Sequence, residues 1–209
     1  MAPPLPNLSI DANRLWSTFD RSSEIGKGPN GGLRRLALSD SDKEMRDQFV
    51  AWCQGIGCTV TVDATGSIFA RRAGQDDSLT PVVIGSHLDS QAAGGRYDGI
   101  LGVLAGLEIL RTLHDNGITT KRPIEVVNWS NEEGARFAPP MAASCVFAGL
   151  QTVEWLHDLK DDEGIRYGDE LKRIGYLGAA PVGGRDLDSY FELHIEQDSL
   201  MEEMDASVG

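Results

Sequence analysis

A strand–helix–strand pattern in the middle of the chain constrains its fold more than any other feature. PVVIGSH (81–87) and PIEVVNWS (123–130) are short apolar runs, typical of strands buried on both faces. GILGVLAGLEILRTLHDNG (99–117), between them, has the length and periodicity of a helix. Its small residues Gly102 and Gly106 fall on one face, which would let the helix pack closely on a sheet. Two such strands joined by a helix predict an α/β protein.

The remaining segments extend this alternation of strands and helices. CTVTVD (58–63) alternates like a strand, residues 67–71 return as its partner, and SYFELHIEQ (189–197) has the pattern of a last strand. Further helices are predicted at 8–23, 39–56, 141–157 and 169–175. We therefore expect an α/β fold with a mixed, largely parallel sheet flanked by helices. The Pro-rich residues 1–7 are expected to be loose.

Size and charge exclude several classes of function. The 209 residues correspond to about one domain. Lys and Arg number 19 against 32 Asp and Glu, a net charge of −13, so nucleic acid and membrane surfaces are disfavoured as partners. The first residues lack the features of a secretory signal, and three cysteines are too few and odd in number for a disulfide scaffold. We expect a cytoplasmic protein that acts on a small molecule.

Polar side chains gather where three predicted strands end. They are His87, Asp89 and Asp98 after the first strand, Glu132 and Glu133 after the second, and His194, Glu196 and Gln197 near the last. Ligands of open α/β sheets bind at this edge. Imidazole nitrogen and carboxylate oxygen suit zinc, manganese or cobalt. The arrangement favours a hydrolytic metal site.

Other interpretations of these segments remain open or are weaker. A single histidine at a strand end is more often hydrogen-bonded than metal-bound, and we assign His114 and His157 to that group. The pair Glu132–Glu133 alone would usually be a solvated loop. The glycines of 94–106 lack the Lys-Ser or Lys-Thr of a phosphate-binding loop. Neither H-E-x-x-H nor G-x-S-x-G occurs in the chain.

Four motifs carry a resemblance to a known family. They are GSHLDS (85–90), GGRYDGILGVLAGLE (94–108), NEEGARF (131–137) and ELHIEQ (192–197). They are similar to the motifs of dinuclear-metal amidohydrolases of the hydantoinase/carbamoylase group, which includes N-carbamoyl-L-amino-acid hydrolases, β-ureidopropionases and allantoate amidohydrolases. RLALSDSDKEMRDQF (35–49) also resembles this group, and the similarity covers about residues 8–209.

The resemblance implies a zinc-exopeptidase-like catalytic domain with two divalent metal ions, Zn, Mn, Co or Ni. In that family His87 and His194 would bind the first ion. Asp98 would bridge both ions, and Glu133 would bind the second. Such a pair of ions polarises a poorly electrophilic amide or ureido carbon and lowers the pKa of the attacking water.

The same resemblance implies roles for three further residues. Glu132 would be the general base that takes a proton from the water, and Asp89 would orient His87. Gln197 would contact the substrate. Because adjacent residues of an extended segment point in opposite directions, Glu132 and Glu133 need a turn to face one site, which Gly134 could supply.

The chain also departs from the family pattern. Family members continue past HIEQ into a lid and dimerisation domain that makes them homodimers, and then return with the last histidine of the second metal. Residues 8–209 are therefore expected to be the N-terminal part of the catalytic domain, with one ion weak or absent and little activity alone. Ser67, Ala143 and Asp198 stand where the family usually has Asn, Gly and Gly.

The function expected from the resemblance is metal-dependent hydrolysis of a carbon–nitrogen bond, most simply in an N-carbamoyl-L-amino acid. An aminoacylase or a di- or tripeptidase of the same superfamily is an alternative. A truncated remnant without catalytic activity is another. GGRYDG and NEEGARF favour the first of the three.

Overall fold

The computed structural model describes residues 8–209, so the expectation for residues 1–7 lies outside it. The strands are β1 (Thr59–Val62), β2 (Ile68–Arg72), β3 (Val82–His87), β4 (Ile124–Trp129) and β5 (Ser189–Phe191). The helices are α1 (Ala12–Ser23), α2 (Asp40–Gly55), α3 (Ile100–Asp115), α4 (Ala142–Phe147), α5 (Val153–Asp158), α6 (Tyr167–Ile174) and α7 (Leu200–Glu203). Strands and helices alternate through the middle of the chain, as the sequence predicts.

The five strands form one mixed sheet in the order β1-β2-β4-β3-β5. β3 runs parallel to β4 and to β5, whereas β2 runs antiparallel to β1 and to β4. The predicted mixed α/β sheet flanked by helices is confirmed. Its parallel pairings are those of β3 with β4 and of β3 with β5. The carboxyl ends of the three parallel strands β4, β3 and β5 therefore meet at one edge of the sheet.

Helix α3 connects β3 to β4 and packs against both strands. A Cβ atom at Gly102 would lie 2.8 Å from the Cβ of Ser86, and one at Gly106 would lie 3.0 Å from a methyl group of Val126. The predicted role of these glycines in close packing is confirmed. The main core lies on this face of the sheet, where α1, α2 and α3 bury their apolar residues.

The opposite face of the sheet carries a smaller apolar cluster. Phe69, Val127 and Trp129 are buried there, and Phe147 and Leu187 pack against them. A single short helix, α4, and the segment that leads into β5 supply this cover. Within residues 8–209, no helix has both the length and the apolarity needed to cross a membrane.

Two predicted elements differ from the structure. The predicted helix 141–157 is divided into α4 and α5, because Gly149 adopts a positive φ of 74° between them and Leu150 is exposed. The predicted strand 189–197 ends at Phe191, since β5 pairs only with Val82–Ile84 of β3. Beyond Phe191, Glu192 accepts a hydrogen bond of 2.5 Å from Ser86 of β3, which keeps the ELHIEQ motif beside the end of that strand.

Candidate metal centre

His87 is the last residue of β3, and its side chain is buried. Its Nδ1 atom lies 2.9 Å from the carbonyl oxygen of Asp89. Because a carbonyl oxygen only accepts hydrogen bonds, Nδ1 carries the proton of the neutral ring and Nε2 keeps its lone pair. Nε2 is buried and has no hydrogen-bond partner among the described residues. A buried lone pair without a donor is suited to a metal ion.

His194, which follows β5, has the same arrangement. Its Nδ1 lies 2.8 Å from the carbonyl oxygen of Ile195, so its Nε2 also keeps a lone pair. The Oδ1 atom of Asp98 lies 3.3 Å from this Nε2 and 4.0 Å from that of His87. One ligand atom from each of these three residues lies within 4.8 Å of the other two. Two nitrogens and one carboxylate oxygen fit a divalent zinc or manganese ion.

The backbone at Gly99 brings Asp98 close to His87. Gly99 precedes α3 with a φ of +69°, a conformation that side chains disfavour. A Cβ atom there would lie 2.3 Å from the imidazole of His87. The motif DG at residues 98 and 99 therefore places a carboxylate beside the histidine while the backbone passes against the ring.

Glu132 lies next to this group of three residues. Its Oε2 atom is 3.4 Å from Nε2 of His87, and its side chain is about one-third exposed. Burial raises the pKa of Glu132 above its ordinary value, and the nearby carboxylate of Glu133 adds to the shift although His87 opposes it. A carboxylate with a raised pKa is a better proton acceptor at neutral pH.

The turn that carries Glu132 and Glu133 is built by two residues with positive φ, Asn131 at 54° and Gly134 at 63°. The carboxylate of Asp89 accepts the backbone N–H of Glu132 at Oδ1 and that of Glu133 at Oδ2, both at 3.2 Å. Asp89 contacts both His87 and the glutamate turn. Its carbonyl oxygen contacts His87, whereas its carboxylate, 3.9 Å from Nδ1 of His87, holds the glutamate turn.

Gln197 contacts Asp98, and Glu133 lines the same cavity as Asp98 but is not part of the group of three ligand residues. Oε2 of Glu133 accepts a hydrogen bond of 2.7 Å from Gln91, while its Oε1 is buried without a partner in the described part of the chain. Nε2 of Gln197 donates to Oδ1 of Asp98 at 3.1 Å. The sequence analysis did not identify Gln91 as a site residue. The one feature of the sequence that could have indicated it is its position four residues after His87.

A cavity of about 620 Å³ adjoins these side chains and could hold a small molecule. It is lined by Gln91, Gly95, Arg96, Tyr97, Asp98, Glu133, Ile195 and Gln197. The ligand atoms and the cavity thus share Asp98.

Burial alone would lower the pKa of His87, but Asp89 and Glu132 outweigh it and raise that pKa. The surrounding negative charge favours a cation at this position.

The fold is therefore an α/β fold in which three potential metal ligands converge where the parallel strands end. Residues 83–209 match peptidase family M20/M25/M40. The chain belongs to this family.

The chain is also similar to named enzymes and solved structures. It is 51% identical over 209 residues to an N-carbamoyl-L-amino-acid amidohydrolase of Rhizobium meliloti, covering 100% of the chain and 50% of that enzyme. A ureidoglycolate hydrolase of Arabidopsis thaliana is 30% identical, covering 97% of the chain and 44% of the enzyme.

Among solved structures, a hydantoinase/carbamoylase family amidase from Burkholderia multivorans superposes with a TM-score of 0.93 at 54% identity. The match covers 96% of this chain and 49% of the amidase. The chain therefore spans about half the length of the relatives it matches. The predicted resemblance to the hydantoinase/carbamoylase group is confirmed.

Proposed function

We propose that this chain provides the metal-binding part of an amidohydrolase that cleaves a carbon–nitrogen bond of a ureido group, most simply in an N-carbamoyl-L-amino acid. The relatives named above support the substrate class. N-carbamoyl amino acids and ureidoglycolate both contain a ureido group, so this group is what their named substrates share.

One observation carries the proposal. Nε2 of His87, Nε2 of His194 and Oδ1 of Asp98 converge within 4.8 Å, with a carboxylate oxygen of Glu132 3.4 Å from His87. Three ligand atoms with a proton acceptor beside them are what hydrolysis by activated water requires. The backbone carbonyls that fix both imidazoles leave the two lone pairs available at the same point.

In the proposed reaction Glu132 takes a proton from the attacking water and delivers it to the leaving nitrogen. Its raised pKa suits both transfers, because the carboxylate accepts a proton more readily and still releases it. Divalent ions bound by these residues would polarise the ureido carbonyl and lower the pKa of the water. Gln197 and the cavity beside Asp98 would bind and orient the substrate.

We also propose that a second ion uses Asp98 and Glu133. The buried, unpartnered Oε1 of Glu133 supports this assignment.

The three cysteines Cys53, Cys58 and Cys145 are free, which supports a reducing, cytoplasmic location.

The test is hydrolysis by the protein that contains this chain, with manganese, cobalt or zinc supplied. N-carbamoyl-L-amino acids and ureidoglycolate are compared with N-acetyl-L-amino acids and dipeptides, and release of ammonia or free amino acid is measured. We expect metal-dependent turnover of the ureido compounds, abolished by a chelator. Preferential cleavage of the acetyl or peptide substrates would establish the aminoacylase or peptidase alternative instead.

The same assay on the 209-residue polypeptide alone separates catalysis from metal binding. Metal bound in calorimetry without turnover of any substrate would mean that the site of this chain needs further residues to act. Absence of metal binding would refute the proposed site itself.

A further inference from the structure

A buried polar cluster lies directly behind the glutamate turn. We define the Ser130 cluster as Ser130 together with Arg46, Thr65, Ser67 and Tyr167. Ser130 follows the last residue of β4 and comes two residues before Glu132. All five side chains are at most 1% exposed, and none lines the cavity beside Asp98.

Arg46 of α2 supplies the first support for Ser130. Its Nη2 donates to the Ser130 hydroxyl oxygen at 2.8 Å, and its Nη1 donates to the carbonyl oxygen of Gly66 at 2.7 Å. Its Nε donates to Asp42 at 2.8 Å, so the buried charge is paired within the same helix. The guanidinium is thereby held in one orientation, aimed at Ser130.

Tyr167 of α6 supplies the second support. Its phenol oxygen lies 2.7 Å from the carbonyl oxygen of Thr65 and 2.8 Å from the hydroxyl oxygen of Ser130. Because the carbonyl can only accept, the single phenol proton goes to Thr65. The Ser130 hydroxyl then donates to Tyr167 while it accepts from Arg46. Each hydroxyl has one consistent direction, which strengthens such a chain of hydrogen bonds.

Ser67 supplies the third support, through the backbone. The N–H of Ser130 donates to the Ser67 hydroxyl at 3.3 Å, and that hydroxyl lies 2.9 Å from the hydroxyl of Thr65. Thr65 in turn donates to the carboxylate of Asp63 at 2.6 Å. Both the side chain and the backbone of Ser130 are therefore fixed, by residues of α2, of α6 and of the turn between β1 and β2.

We propose that Ser130 is a positioning residue for Glu132, acting together with Arg46 and Tyr167. The Ser130 cluster holds the residue two positions before Glu132, and the carboxylate of Asp89 holds the backbone N–H groups of Glu132 and Glu133. Asn131, which follows Ser130, has a positive φ of 54°, and its side-chain amide donates to the carbonyl oxygen of Phe137 at 2.8 Å. This proposal rests on the role proposed for Glu132.

Loss of one support should act on Glu132 and not on the first metal. The side chains of Arg46 and Tyr167 each bond to that of Ser130, whereas His87, Asp98 and His194 lie at the end of β3, in the loop before α3 and in the segment after β5. A misplacement of about 1 Å in a catalytic group can reduce the rate by about 100-fold. A shift of the turn should therefore lower kcat more than it changes KM or metal affinity.

The experiment compares two pairs of variants in the protein that contains this chain. Ser130→Ala is matched by Ser22→Ala, because both serines are fully buried and both hydroxyls accept from a guanidinium, that of Arg46 or Arg35. Tyr167→Phe is matched by Tyr176→Phe, which removes a phenol bonded to Asp47. Hydrogen exchange of residues 131–134, metal affinity, kcat and KM are measured for each.

We expect Ser130→Ala and Tyr167→Phe to accelerate amide exchange in 131–134 by about 10-fold and to lower kcat by about 10–100-fold, with KM and first-metal affinity within about 3-fold. The matched variants should change none of these. Unchanged exchange in 131–134 would overturn the proposal, even in a protein without hydrolytic activity. Faster exchange with unchanged kcat in an active protein would also overturn it. If Ser130→Ala does not fold, Tyr167→Phe decides alone.

Discussion

At the scale of single residues, two backbone carbonyls determine what the histidines can do. The carbonyl oxygens of Asp89 and Ile195 each accept a hydrogen bond from the Nδ1–H of the neighbouring imidazole. The Nε2 atoms are left as acceptors, and they converge with Asp98. A metal site of this kind depends on local backbone conformation as much as on the ligand residues themselves.

Substitution of each glutamate should separate the two roles proposed for the pair. Glu132→Gln removes the proton acceptor, so an active form of the protein should retain metal and lose about 10²–10⁴-fold in kcat. Glu133→Gln should instead weaken binding of the second ion. Steady-state kinetics and metal titration of both variants test this assignment, and identical behaviour would contradict it.

Gly99 permits the close approach of Asp98 to His87, so its replacement should damage the metal site. Gly99→Ala adds a Cβ 2.3 Å from the imidazole at a φ of +69°. We expect metal affinity to fall at least 10-fold and stability to fall by about 1–3 kcal/mol. Gly117→Ala is the control, because Gly117 also has a positive φ, +62°, but a Cβ there has no atom within 4 Å. Equal metal affinities in the two variants would show that backbone strain at a positive φ, and not contact of the Cβ atom with His87, lowers the affinity.

At the scale of elements, an ion pair joins helix α6 to the NEEGARF segment that follows β4. Glu170 of α6 binds Arg136 of the NEEGARF motif at 2.9 Å and Arg173 at 2.7 Å. Although burial opposes it, these guanidinium groups hold the pKa of Glu170 below its ordinary value of 4.5. Since the folded state favours the ionised form, Glu170 stabilises the fold above pH 4.5, and this contribution is lost as the pH falls below that value.

Glu170→Gln should therefore reduce the free energy of unfolding at pH 7 by about 1–3 kcal/mol. The difference from the unmodified protein should shrink as the pH is lowered from 5 toward 3. Asp169→Asn, which changes an exposed carboxylate one residue earlier in α6, should have little effect at any pH. Denaturant unfolding at several pH values measures both. A Glu170→Gln difference that persists unchanged to pH 3 would contradict the assignment.

The elements that could be predicted from sequence are those with a strong local pattern. β3, β4 and α3 follow from two apolar runs and a long periodic helix, and the small residues of α3 predicted its packing. The division of 141–157 at Gly149 was missed, because its helical pattern is interrupted by a single turn. β5 ends at Phe191 although β3 continues from Ile84 to His87, so the length of β3 does not set this end and the local sequence does not reveal it.

For the candidate site, too, the positions of the ligand residues could be predicted from the sequence, whereas their long-range contacts could not. Strand-end polar residues indicated where ligand atoms would gather, and motif resemblance implied a role for each. The contacts of the Asp89 carboxylate with the backbone of Glu132 and Glu133 join segments about 43 residues apart. The Ser130 cluster joins two helices, α2 and α6, to the turn between β1 and β2 and to the residue after β4. Such contacts are set by tertiary packing, so no local pattern could reveal them.

At the scale of the whole molecule, metal binding should be coupled to stability. The three-residue group His87, Asp98 and His194 predicts that one divalent ion binds more tightly than a second. An ion at 100 times its Kd should stabilise the fold by about 2.7 kcal/mol and raise Tm. Calorimetric titration and thermal unfolding of the apo chain measure both effects. His194→Ala should abolish the increase in Tm, and two equally tight sites would contradict the prediction.

The outer edge of β5 should make association between molecules of this chain depend on salt concentration. β5 is bonded to β3 on one side, and Phe191 and Leu193 are 59% and 53% exposed beside it. A net charge of −13 keeps separate molecules apart at low ionic strength, but added salt screens this repulsion. The apolar strand edge then becomes the dominant contact between molecules. Light scattering from the 209-residue chain should increase with sodium chloride concentration, and Phe191→Lys should suppress that increase.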